Sequence, residues 1–206
     1  MSLTIVYSMM VSGGVGPPEE PGSKSPAPDG LPTVQLFVNS RDIEAGTEEW
    51  TSPAALGSWL RRHDLAPPRS RFDQNDLERA RAFRELVRAM ALANNGHPMS
   101  PQQRKALTRE LARLRFIARV DAHGLIRFDG AVDGLDQALA RVVAIVGDEM
   151  VRGRWSRMKA CARDACHWVF YDHSRNRTGT WCSMAVCGTR TKVSAYYRRH
   201  RRSELR

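Results

Sequence analysis

The stretch CARDACHWVFYDHSRNRTGTWCSMAVC, residues 161–187, contains all four cysteines of a 206-residue chain. They are spaced C-x4-C, then fifteen residues, then C-x4-C. Each pair sits on one tight turn, so two thiolates approach an ion from one side and the loop between the pairs brings round the other two. Four thiolates close a tetrahedral zinc sphere and leave no position for substrate, so this spacing points to one structural Zn2+ held by Cys161, Cys166, Cys182 and Cys187. The alternative is two disulfides, which would need an oxidising compartment. An iron–sulfur cluster fits less well, because two equal gaps do not follow the common ferredoxin spacings.

The compartment expected from the chain favours thiols. Residues 3–11 are apolar but interrupted by Thr4 and Ser8, and no basic residue precedes them. They make a poor signal peptide, no run approaches a membrane span, and a cytoplasmic protein is expected. Charge divides the chain sharply. Residues 151–206 carry fourteen Lys or Arg against three Asp or Glu, a net of +11, while residues 1–150 carry eighteen against nineteen, a net of −1. A small metal-stabilised module with that field should attract polyanions, nucleic acid first. As a plain alternative, the basic segment is a solvated tail.

Working outward, residues 12–32 are dense in Gly, Pro and Ser, and a disordered segment is expected over 1–32. The run TVQLFVN from Thr33 reads as a strand or as the first turn of a helix. Ser52-Pro53 opens a helix running to about Leu65, which Pro67-Pro68 stops. The strongest helix covers residues 73–94, with Leu77, Ala80, Phe83, Leu86, Val87, Met90 and Ala91 at three- and four-residue steps and Arg84 and Arg88 on its other faces. Ser100-Pro101 starts the next helix. Apolar runs flanking Asp121-Ala122-His123-Gly124 read as a β-hairpin. Asp133 is expected to cap a last helix, whose end, over residues 152–159, leads into Cys161. The fold class is therefore α+β: a mostly helical domain with a small hairpin over 33–152, then a treble-clef-like or knuckle-and-helix finger over 153–206. In the finger, residues 167–172 suit a strand. A helix after Cys187 would seat Val193, Tyr196 and Tyr197 and project its basic residues outward.

The residues then meet a family. Two C-x4-C pairs, F-x-D-x-S-R-N at Phe170 to Asn176, WCSM from Trp181, and CG-x-R-x-K from Cys187 together resemble the CGNR zinc finger of bacteria. FVNSRD (37–42), the segment with Trp59-Leu60, and AFRELVRA (82–89) resemble ABATE, the domain usually joined to it. This resemblance implies a stress-induced transcriptional regulator. Two departures stand out: Thr189 replaces the Asn of the family name, and Thr178-Gly179-Thr180 lies where arginines are frequent.

The leading expectation is thus a zinc-dependent DNA-binding regulator, its N-terminal domain sensing or dimerising. Arg175, Arg177, Arg190, Lys192, Arg198, Arg199, Arg201 and Arg202 would contact nucleic acid. Asn39, Arg41 and Arg84 would line a pocket for a small-molecule effector, or else cap helices and pair with carboxylates. Asp172 would accept hydrogen bonds from the knuckle backbone or pair with Arg175 or Arg190. Trp168 and Trp181 would form the small core or stack on bases, and His167 and His173 lie close enough to substitute for a ligand. A homodimer would match two-fold operators, although no dimerisation seam is visible. The alternative is a zinc-organised protein-interaction or redox-sensing module that does not bind DNA, for which arginines paired to carboxylates would be the sign. An enzyme is not expected, since the chain has no Gly-rich phosphate loop, G-x-S-x-G elbow or H-E-x-x-H.

Overall fold

The computed structural model describes residues 27–193. Expectations for residues 1–26 and for Tyr196, Tyr197, Arg198, Arg199, Arg201 and Arg202 lie outside the described residues. The rest is an α+β arrangement of α1 (Leu31–Asn39), β1 (Arg41–Asp42), β2 (Thr47–Glu48), α2 (Pro53–Arg62), α3 (Gln74–Ala93), α4 (Pro101–Arg113), β3 (Phe116–Val120), β4 (Ile126–Gly130), α5 (Leu135–Val151), β5 (Met158–Ala160) and β6 (Val169–Tyr171). The strands form three separate antiparallel pairs. No helix among the described residues is long and apolar enough to cross a membrane.

The run left open between strand and helix is helical. Leu31, Val34, Phe37 and Val38 are buried at three- and four-residue steps, which only a helix can turn to one side. Order also begins earlier than Thr33, since Ala27 is already buried. Phe37 is the hub of an aromatic cluster, its ring centroid 5.0 Å from Trp50, 6.0 Å from Trp59 and 6.3 Å from Phe83, all edge-on. Such contacts add about 0.5–1.5 kcal/mol each beyond area burial.

Helix starts follow their side chains. Ser52 accepts from the Ala55 N–H, and both α3 and α4 open on capping boxes, Asp73 with Asp76 and Ser100 with Gln103. The start of α5 departs from expectation. Gly134, at φ +89°, precedes the helix, and no side chain caps it there, so Asp133 is not the cap. Its first-turn carboxylate, Asp136, instead binds Arg79 at 2.6 Å.

Two further corrections concern burial. Arg84 and Arg88, assigned to outer faces of α3, are both buried. And α5 does not run into the first cysteine: it ends at Val151, Gly153 turns the chain, and a 3-10 turn at Trp155–Arg157 feeds β5. Strand β5 pairs with β6, Lys159 opposite Phe170. The main core continues past the change in charge at residue 152, with Trp155, Met158, Ala160 and Val169 buried in the same cluster as Phe37, Phe83 and Leu139.

Candidate metal centre

The first cysteine pair lies on the turn joining β5 to β6. The Cys161 N–H donates to the Trp168 carbonyl at 2.9 Å and the Cys166 N–H to that of Arg163 at 2.8 Å, which closes a knuckle. The second pair straddles a helix start. Ser183 caps it by accepting from the Val186 N–H, and Cys187 donates its own N–H to the Ser183 carbonyl at 3.0 Å. Helical backbone thus begins at Met184, with an initial π-type turn to Gly188, rather than after Cys187 as expected. Cys182 precedes this helix and Cys187 sits in its first turns.

These two devices bring four buried sulfurs within 4.8 Å of one another. Cys182 Sγ lies 3.7 Å from both Cys166 Sγ and Cys187 Sγ. Ligands at about 2.3 Å on a tetrahedron are separated by about 3.8 Å, so the sulfur set already has the dimensions of a zinc sphere. Its electrostatics call for a cation. Donation to the Cys161 sulfur, with burial, pushes the Cys166 thiol up to about 12 and Cys182 higher, while Cys161, the acceptor, is lowered. Four clustered thiolates repel one another, and a dication removes that penalty. The site therefore takes one structural zinc ion, with every position filled by protein. Arg163 Nη1 stands 3.9 Å from Cys187 Sγ and adds an outer charge to that thiolate. Trp168 and Trp181 pack against the cysteine cluster, as its core. Neither His167 nor His173 belongs to the ligand group; His173 lies edge-on to Tyr171 at 4.8 Å.

Between the pairs, Asp172 organises the loop. Its carboxylate accepts from the N–H of Ser174 at 3.0 Å and of Gly179 at 2.8 Å, and from Lys159 Nζ at 2.8 Å. Lys159 also donates to the carbonyls of Arg177 and Gly179. The ion partner is thus a buried lysine of β5, not the expected Arg175 or Arg190. Burial opposes the charge on Asp172, but these donors outweigh it and hold the carboxyl down at about 2. A Cβ on Gly179 would stand 2.8 Å from the Asp172 carboxylate, which explains glycine there. The result is a braced loop presenting Arg175 and Arg177 to solvent.

The finger is fastened to the helical domain by buried and half-buried polar groups. Asn39 Nδ2 donates to the Val169 carbonyl and its Oδ1 accepts from the Val169 N–H, both at 2.8 Å. Arg88 donates to the carbonyls of His167, Val38 and Arg41. At the end of α3, Asn94 Nδ2 reaches the carbonyls of Trp155 and Met158, and Asn95 Nδ2 those of Ala160 and Thr180, all at 2.8 Å. Arg84 lies 4.6 Å above the Trp50 ring and pairs with Glu48 at 2.6 Å. Asn39 and Arg84, expected at an effector pocket, are thus committed to bonds within the protein; Arg41 is exposed on β1. The sequence reading missed Arg88, Asn94 and Asn95. Arg88 is legible from its position one turn after Arg84, but two polar residues at a helix end carry no signal in the sequence of the distant carbonyls they bind.

Ion pairing also sorts the basic residues. Glu44, on the β1–β2 turn, holds Arg163 at 2.6 Å and Arg190. Arg152 and Arg154 pair with Asp148, Glu149 and Asp29. Among the nucleic-acid candidates within the described residues, Arg175, Arg177 and Lys192 are exposed without an ion pair, and Arg190 is tied to Glu44.

No curated protein matches the chain. Two family models do: the CGNR zinc finger over residues 157–200, and ABATE, described as "Putative stress-induced transcription regulator", over residues 32–169. Their overlap, residues 157–169, covers β5 and the first knuckle and ends at the first residue of β6. The chain belongs to the ABATE family and carries a CGNR zinc finger at its C-terminal end.

Proposed function

We propose that the protein is a zinc-dependent DNA-binding transcriptional regulator in which the finger contacts nucleic acid and the helical domain senses a signal or dimerises. The observation that carries this reading is the braced loop of Asp172. It holds Arg175 and Arg177 in solvent without carboxylate partners among the described residues, and Lys192 is likewise exposed on the helix that leaves the metal site. Preorganised, unpaired cations on a rigid support suit phosphate oxygens. The family description as a transcription regulator supports the same reading. Such contacts fix position on a duplex, and sequence would be read by other groups or by DNA shape.

Fluorescence anisotropy of a labelled duplex with the zinc-loaded protein tests it. Binding should vanish on chelation. If about five phosphates are neutralised, affinity should fall several-hundredfold, on the order of 500-fold, between 50 and 200 mM salt. Binding that survives chelation would reduce the basic segment to a non-specific tail. No binding in either state would favour a second reading, a zinc-organised protein-docking module. Arg163 and Arg190 both paired to Glu44 are the observation in its favour.

A further inference from the structure

The β3–β4 hairpin has one face with no charge on it. The pairs Phe116↔Gly130, Ala118↔Phe128 and Val120↔Ile126 place Phe116, Ala118, Val120, Ile126, Phe128 and Gly130 together, because opposite residues share a face. The root of this face is covered: a Cβ on Gly130 would meet the backbone of Gln137 in the first turn of α5 at 2.5 Å. Beyond the root, exposure rises from 40% at Phe116 to 62% at Phe128, 66% at Ile126 and 71% at Val120. Charged neighbours stay off it. Asp129 pairs with Arg141 of α5, and Arg127 turns back to Asp121 at the tip.

We infer that this hairpin face is the self-association surface of the protein, covered by the same face of a second copy. Three observations select that occupant. A nucleic-acid surface would carry cations, and this face carries none. The exposed parts of Phe116, Ala118, Val120, Ile126 and Phe128 make an apolar area on the order of 500 Å². At the roughly 65% apolar content of homodimer interfaces this corresponds to about 800 Å² per partner, the standard size of a stable interface. The relief is also self-complementary, since exposed Phe128 stands across from small, exposed Ala118. A two-fold axis through that pair would set each copy's Phe128 over the other's Ala118. The inference is independent of whether the finger binds DNA.

Light scattering on the full, zinc-loaded chain across a concentration series tests this. The expected mass is twice the 23.2 kDa of one chain. The double variant Val120→Asp/Phe128→Asp should run at half the mass of the native protein, with unchanged zinc content and far-ultraviolet circular dichroism. A native protein that stays monomeric throughout the series overturns the inference. A double variant that remains dimeric moves the interface elsewhere and overturns it equally.

Discussion

The two halves of the zinc finger are held by different forces. The first half, β5, the knuckle and β6, is continuous with the main core: Met158, Ala160 and Val169 are fully buried in it, and Asn39, Arg88 and Asn94 bind its backbone. The second half, from the loop to the helix at Met184, touches the helical domain through the Asn95 bond to Thr180 and the Glu44–Arg190 pair. It is tied to the first half by the metal, by the Lys159–Asp172 bridge and by backbone carbonyls that accept from Lys159, Arg157 and the Ala162 N–H. Burial fixes one half, and coordination fixes the other. Metal should therefore act as a stitch between a preformed half and a dependent one, rather than as the seed of the whole finger.

The largest effect should come from cutting that stitch. Structural zinc is worth about 10–16 kcal/mol in small finger peptides. Chelation, or Cys182→Ser, should abolish the bound zinc and make the amides of residues 180–193 exchange rapidly, leaving those of α1, α3 and β5 protected. Hydrogen exchange followed by mass spectrometry reads both regions at once, and equal loss in both would refute the division. Next is the bridge. Asp172→Asn leaves Lys159 charged and buried with only neutral acceptors, at a cost of about 3–5 kcal/mol. The pH dependence has a definite sign. The folded carboxyl sits at about 2, below its unfolded value, so its stabilisation is complete above the ordinary carboxylate range and fades as pH falls toward 2. Urea titrations of native and variant protein should converge as the medium is acidified.

A smaller effect is expected on the buried side. Asn39→Ala leaves the N–H and C=O of Val169 unpaired, at about 1–3 kcal/mol for each stranded group. Because it acts on the first half, it should lower global stability without changing zinc stoichiometry; zinc loss at unchanged stability would invert the comparison. The smallest belongs to Glu44, a surface carboxylate whose pairs are worth about 0–1 kcal/mol each. Glu44→Ala should leave the melting temperature nearly unchanged while freeing Arg163 and Arg190. If the finger binds duplex DNA, that release should tighten binding modestly at low salt, as anisotropy would register.

Much of this was readable in the sequence, for reasons that differ by element. Caps and periodicity are local, so α2, α3, α4 and the β3–β4 hairpin fall close to where Ser52, Asp73, Ser100 and Gly124 place them. The cysteine spacing likewise encodes its own geometry. What escaped was decided by partners distant in the chain. Arg84 and Arg88 look like surface residues until Glu48, Trp50 and three carbonyls surround them. Strand β5 looks like a helix end until Val169 pairs with Ala160. Asp172 has arginines nearby in sequence, but the pleat of β5 delivers Lys159 instead. The +11 charge of residues 151–206 also overstates the field the finger presents, because carboxylates of the helical domain meet several of those arginines.

The unbroken core has a practical corollary for anyone expressing this protein in pieces. A truncation at residue 152, where composition changes most abruptly, would strip Trp155, Met158, Ala160 and Val169 from the interior and leave Asn39, Arg88 and Asn94 facing water in place of backbone. The shortest fragment able to keep its interior closed extends through β6 to Tyr171, so a well-behaved helical half must be cloned with the first knuckle attached.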